Sequence, residues 1–335
     1  KRKAPLNFSQ TFSIGDQVKV FNRSLGLLFG LRYNSSVSSD PNAIGINDIT
    51  RDAGITKVPL PVNQQVSREL NGWTILMNAT YKINKNNSIG LLFMPNITGI
   101  NNVRYSHTLD TTNIFNKYNK DQFFESKKQF IYQMKTEHYL PGSKIKIDFN
   151  ASYTKGNNDA PDFKRLVYQG VKDPETGLVT QLVIGGEGQA NRRNYRTLNE
   201  NVFDSKVAFE LPILNDKDGV SKGKLKAGAA YQYIYRDNIR YSYVLNTFKP
   251  VDQSMSDDHI DDYFNADFFK IDYYTGNAGG LKYPDARFNG YYTRFNLPAN
   301  HTFGKSNVKA AFAMIDYTII KPLRISGGLR VEQYQ

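Results

Sequence analysis

The chain contains no cysteine, which excludes a disulfide framework, a zinc–thiolate centre and any thiol nucleophile. No stretch reaches the 18 apolar residues that a membrane-spanning helix needs, and the overall hydropathy is negative. That absence does not exclude a bilayer, because in a spanning β-strand only alternate residues meet lipid and the average looks water-soluble. Histidine is scarce, and His107, His138, His259 and His301 match no metal-hydrolase spacing. No nucleophile elbow or phosphate loop is present. Gly185, Gly186, Glu187 and Gly188 lack the Lys-Ser/Thr of a phosphate loop and read as a turn. Nothing in the sequence points to catalysis, so neither an enzyme nor a bound cofactor is expected.

What is plentiful is aromatic and basic. Aromatic residues make up 13% of the 335 positions, which excludes intrinsic disorder. The net charge is +12, a value that first suggests nucleic acid. Yet Lys and Arg are scattered along the chain with no basic block beyond residues 1–3, whereas a nucleic-acid footprint clusters on one face. The expectation is therefore that the cations line a wet interior and flank an anionic membrane surface. No signal peptide is readable at the N-terminus, so either a leader has been removed or the chain starts inside its gene product.

Residues 144–154, KIKIDFNASYT, alternate without error. Ile145, Ile147, Phe149, Ala151 and Tyr153 fall on one side, and Lys144, Lys146, Asp148, Asn150, Ser152 and Thr154 on the other. Leu25, Leu27, Phe29, Leu31 and Tyr33 likewise share a face, as do Trp73, Ile75, Met77, Ala79, Tyr81 and Ile83. Leu225, Ala227, Ala229, Tyr231, Tyr233 and Tyr235 stand opposite Lys224, Lys226, Gln232 and Arg236. Such runs recur near 7–14, 22–35, 73–83, 88–106, 123–139, 144–155, 193–213, 224–247, 304–319 and 322–334. The eleven residues of 144–154 are about the length that a tilted strand needs to cross a bilayer. Aromatic residues toward strand ends (Tyr33, Trp73, Tyr153, Tyr235) suit the lipid–water boundary.

The connections alternate in length. Asn84 to Asn87, Pro141-Gly142-Ser143, 215–219 and Lys321-Pro322 carry turn chemistry, whereas 36–72, 107–122, 156–192 and 248–303 read as long loops. Short turns at one end and long loops at the other are the habit of outer-membrane barrels. The soluble alternative is a large sandwich or propeller; no repeat of fixed period supports the latter. The fold class expected is all-β, an antiparallel transmembrane β-barrel with about ten strands here, in a single domain over 1–335. An abrupt stop at Val331, Glu332, Gln333, Tyr334 and Gln335 makes the chain read as part of a larger barrel.

Three segments carry a resemblance. Residues 307–332, NVKAAFAMIDYTIIKPLRISGGLRVE, resemble a late barrel hairpin of the TonB-dependent outer-membrane receptors of Bacteroidetes. Residues 153–168, YTKGNNDAPDFKRLVY, are similar to that family's strand exit into an extracellular loop, and 22–33, NRSLGLLFGLRY, to one of its strands. The resemblance implies a 22-stranded barrel of the Gram-negative outer membrane filled by an N-terminal plug, with this chain as an incomplete barrel segment lacking the plug. It also implies the partners: the plug of the same full-length protein, TonB, outer-membrane lipid or lipopolysaccharide, and a scarce small-molecule or glycan substrate such as a ferric siderophore or oligosaccharide. A passive porin-like channel and a non-transporting surface-binding β-protein are the competing expectations.

The ligand-binding candidates are Asp257, Asp258, Asp261 and Asp262 with Tyr263, Phe264, Tyr273 and Tyr274. Dense carboxylates could hold a cation such as Ca²⁺, though the spacing fits no EF-hand loop, and no metal is expected. The rings could stack on a sugar or an aromatic siderophore. The plainer possibility is a solvated acidic loop whose aromatics pack on their neighbours. Lys144, Lys146, Asp148, Asn150, Lys224, Lys226, Gln232, Arg324, Arg330 and Glu332 are expected on the lumen side, hydrogen-bonding a plug or one another.

Overall fold

Tight turns and a period of two build one long antiparallel sheet. The computed structural model describes residues 4–50, 57–110, 115–172, 175–176, 179–184, 191–215, 221–247, 260, 264, 266–278, 281–288, 290–295, 297–320 and 323–335. The first half holds β1 (Phe8–Val20), β2 (Arg23–Thr50), β3 (Lys57–Asn84), β4 (Asn87–Asp110), β5 (Phe115–Leu140), β6 (Ile145–Lys172) and β7 (Val179–Ile184). The second holds β8 (Arg192–Asn215), β9 (Ser221–Thr247), β10 (Ile271–Ala278), β11 (Leu281–Phe288), β12 (Gly290–Phe295), β13 (His301–Ile320) and β14 (Leu323–Tyr334). Their order is β1-β2-β3-β4-β5-β6-β8-β9-β13-β14, with β7 added beside β6 and β12 beside β9; β10 and β11 form a separate hairpin. Every pairing is antiparallel.

The turns explain the register. Phe21 and Asn22 join β1 to β2 with φ of 49° and 59°, the left-handed pair that a two-residue hairpin needs to match strand twist. Asn84 caps the next turn, accepting from the Asn86 amide at 2.8 Å. Lys144, expected at the start of a strand, instead takes φ 56° and closes the turn from Pro141 into β6.

Cross-strand partners share a face, so the register converts separate alternations into two continuous surfaces. One row reads Ile14, Phe29, Met77, Phe93, Tyr132, Tyr153, Phe203 and Tyr233, each opposite the next. Rings touch on this face: Phe93 and Tyr132 stack at 4.9 Å in that row, and Tyr33 lies 4.4 Å from Trp73 in a neighbouring one. A row on the opposite face reads Gln133, Ser152, Asp204 and Gln232, and Gln232 donates to Asp204 at 2.7 Å.

The long loops expected at 36–72, 107–122 and 156–192 are corrected over most of their length. β2 and β3 continue to Thr50 and from Lys57, β4 and β5 to Asp110 and from Phe115, and β6 runs on to Lys172. Beyond the apolar zone these strands have mixed polarity on both faces, so their periodicity is lost while pairing still satisfies the backbone. Within 248–303, β10, β11 and β12 are strands rather than loop.

Very little of this sheet is covered. Accessible surface totals 22537 Å², whereas a compact monomer of 38.1 kDa exposes roughly 14,000 Å². Leu27, Trp73, Met77, Leu91, Tyr132, Phe209 and Ile315 are exposed on the apolar face. Among the described residues β1 pairs only with β2 and β14 only with β13, so the strand order is linear.

Candidate binding surface on the polar face

Beyond the apolar zone, at the end away from the short turns, charged residues of β4 to β9 converge on the polar face. Pro161 does the aiming. It has no amide to donate to the ladder, and the register breaks on both sides of it, between Gln122 and Ser126 of β5 and between Ala160 and Phe163 of β6. The extra residue reverses the phase of β6. Counting by twos from Tyr153 would put Arg165 on the apolar face; after the bulge it stands opposite Asp121 of β5 and Arg192 of β8.

Arg104, Asp121, Arg165 and Arg192 therefore form one row across four strands. Asp121 is buried and held from both sides. Arg165 donates Nε and Nη2 to its two oxygens at 2.6 and 2.9 Å, and Arg104 donates Nε and Nη2 to Oδ2 at 3.1 and 2.5 Å. Burial pushes the Asp121 carboxyl up, but the two guanidinium groups more than offset this and hold it below its ordinary range. The same hydrogen bond raises Arg165. Arg192 is displaced the other way, lowered by burial and by repulsion from Arg165 and Arg240.

The next row toward the apolar zone carries Phe123 of β5 and Phe163 of β6, whose rings lie 5.6 Å apart, with the Arg165 guanidinium 5.6 Å above Phe163. Below that, Arg196 of β8 stands opposite Arg240 of β9 and donates Nη2 to Glu125 of β5 at 2.7 Å. Lys127 reaches the other Glu125 oxygen at 3.4 Å. The Nε of Arg196 is buried without a hydrogen-bond partner, as is Oδ1 of Asn194 between the two arginine rows. Further down, Arg236 pairs with Glu200. Two hollows mark the polar face within the apolar zone: about 430 Å³ lined by Ser152, Asp204, Lys206, Gln232, Arg330 and Glu332, and about 270 Å³ near Thr80, Gly90, Lys135 and Glu137. A trough of about 720 Å³ on the opposite face is lined by Leu27, Phe29, Met77, Leu91, Phe93 and Tyr153.

The residues singled out from sequence are placed differently. Asp257, Asp258, Asp261, Asp262 and Tyr263 lie outside the described residues. Phe264 is buried with Leu166, Tyr168, Leu245 and Ile260, and Phe268, Phe269 and Tyr292 pack against them. Its carbonyl accepts from Arg193 Nη1 at 3.1 Å, and Arg193 is held by Asp162 at 2.6 and 3.0 Å. Burial pushes the neighbouring Tyr292 hydroxyl up to about 12. This cluster lies over the sheet face opposite the arginine rows, since Tyr168 and Leu245 share the parity of the apolar face. Tyr273 is exposed on β10, opposite Ala286, and Tyr274 stands opposite Asp285. Among the described residues no three histidine or acidic side chains come within reach of one metal ion. The expected lumen-side residues pair with neighbours: Lys146 with Asp148, Lys224 with Glu210, Arg324 with Asp316 and Arg330 with Glu332. The arginine rows escaped sequence reasoning because their members are scattered from 104 to 240, and the one local signal was Pro161 within 153–168.

The chain is thus an all-β protein built on one antiparallel sheet with an apolar and a polar face. Comparison with known proteins returned no match: no family model fits the chain, and no curated protein or solved structure matches it.

Proposed function

We propose that this sheet is wall from an outer-membrane β-barrel, a segment of a TonB-dependent receptor that binds a scarce nutrient outside a Gram-negative cell and imports it. The observation that carries the proposal is the uncovered apolar face. On β3 it runs from Trp73 to Ile83, about 35 Å along the strand at roughly 3.3 Å per residue. Tilted by about 45°, that spans roughly 25 Å, the height of the apolar band of such barrels. Lipid supplies the cover that a second protein layer would give a soluble sandwich. Lipid also offers no hydrogen-bond partners, so the free edges of β1 and β14 would pair with further strands of the same barrel. The polar face then lines a lumen where charged ladders can meet a plug.

Transport and TonB coupling rest on the resemblance of 22–33, 153–168 and 307–332 to the receptor family. The test is the intact mass and N-terminal sequence of the native protein purified from its membrane. A mass well above 38.1 kDa with plug-like sequence upstream is the expected result. A mass near 38 kDa starting at Lys1 would overturn the receptor proposal and leave a small pore or a surface β-module.

A further inference from the structure

Five arginines (Arg104, Arg165, Arg192, Arg196 and Arg240) gather on the polar face of β4 to β9, where among the described residues Asp121 and Glu125 are the carboxylates that pair with them. At about 4.8 Å between strands and 3.3 Å per residue, both arginine rows fit within roughly 19 by 13 Å. Lys127 adds a further cation at Glu125. Like charges gathered this closely cost free energy unless something answers them. Two observations besides the count show that the protein answers them incompletely. The buried Arg196 Nε has no hydrogen-bond partner, and Arg192 is lowered first by burial and then by repulsion from Arg165 and Arg240. Between the rows the surface is aromatic, from Phe123 and Phe163.

We propose that this patch is a binding site for a compact polyanion bearing carboxylate or phosphate oxygens, which makes that class the substrate, or the recognised part of it, for the receptor proposed above. The inference rests on the polar face lining a lumen open to the outside. Guanidinium forks match carboxylate and phosphate oxygens in pairs, and a cleft of one sign raises the local concentration of its counter-ion. The Phe123 and Phe163 rings would carry the apolar body of the ligand while the arginines of the two rows engage its charged ends.

The test uses the full-length native protein, purified from its membrane and reconstituted in lipid vesicles, with citrate and inorganic pyrophosphate as probes and a neutral trisaccharide as control. Titration calorimetry at low ionic strength is expected to show binding of at least one anion, weakened by added salt, and none of the sugar. Binding of citrate alone marks a carboxylate ligand, and of pyrophosphate alone a phosphate ligand. Arg240→Gln, on an exposed side chain, is expected to weaken binding about tenfold, and Arg192→Gln by a similar factor, both with an unchanged unfolding midpoint. Lys305→Gln, on the opposite face, is expected to leave binding unchanged. Vesicle flotation of the same samples separates the two claims. A chain that floats but binds neither anion, or whose binding ignores both arginine variants, overturns the anion site alone. A chain that fails to float overturns the lumen itself.

Discussion

At the residue scale, Asp121 is the hinge of the polar patch. Its carboxyl is lowered in the folded state by Arg165 and Arg104, so its contribution is complete above the unfolded carboxylate value of about 4 and is lost as pH falls through the folded value. Asp121→Asn leaves two half-exposed guanidinium groups without their charge partner and is expected to cost about 2–3 kcal/mol, less than the 3–5 of a fully buried pair. Urea unfolding of both proteins between pH 3 and 7 checks this; the gap should narrow toward acid. On the apolar face, Ile147→Arg is expected to cost roughly 2–4 kcal/mol in vesicles, whereas Asp148→Asn, on the polar face, should cost far less. Equal tolerance of the two would reverse the assignment of the faces. The Ile147 and Asp148 faces were legible because alternation is a local signal. The Asp121 site was not, because Arg104, Asp121, Arg165 and Arg192 meet only once the register of four strands is known.

At the scale of elements, periodicity reported those parts of each strand whose two faces meet different surroundings. Residues 73–83 alternate because one side is apolar, while 57–72, on the same strand β3, lack that contrast and read as loop. The Phe21 and Asn22 turn was missed for another reason: Phe is a poor signal for a positive φ. Sequence also hid a close approach. A Cβ on Gly228 of β9 would collide with the Val207 carbonyl oxygen and the Phe312 ring, and Phe312, directly opposite on β13, covers the bare backbone. Gly228→Val is expected to cost about 1–3 kcal/mol through overpacking. Gly304→Ala, where a Cβ would have nothing within 4 Å, is expected to stay within about 0.5 kcal/mol. Paired unfolding curves distinguish a general intolerance of substitution in the sheet from this specific contact.

At the scale of the whole molecule, one number frames everything: 22537 Å² of accessible surface against the roughly 14,000 Å² of a compact chain this size. A sheet left this open in water would present a template for aggregation along its free edges and its apolar face. In the proposed barrel a bilayer would remove the second hazard and closure the first. The net charge of +12 takes its place in the same picture, because much of it stands on the polar face and near the strand ends rather than among the residues of the apolar face. The most direct test exploits the lack of native cysteine. Single cysteines are placed in turn at 225–235 of β9, spin-labelled, and read in vesicles for collision with oxygen, which enriches in lipid, and with a water-soluble nickel chelate. The account predicts strict alternation, with oxygen dominant at Leu225, Ala227, Ala229, Tyr231, Tyr233 and Tyr235 and nickel dominant at the residues between them. Uniform access to nickel along the whole segment would contradict it.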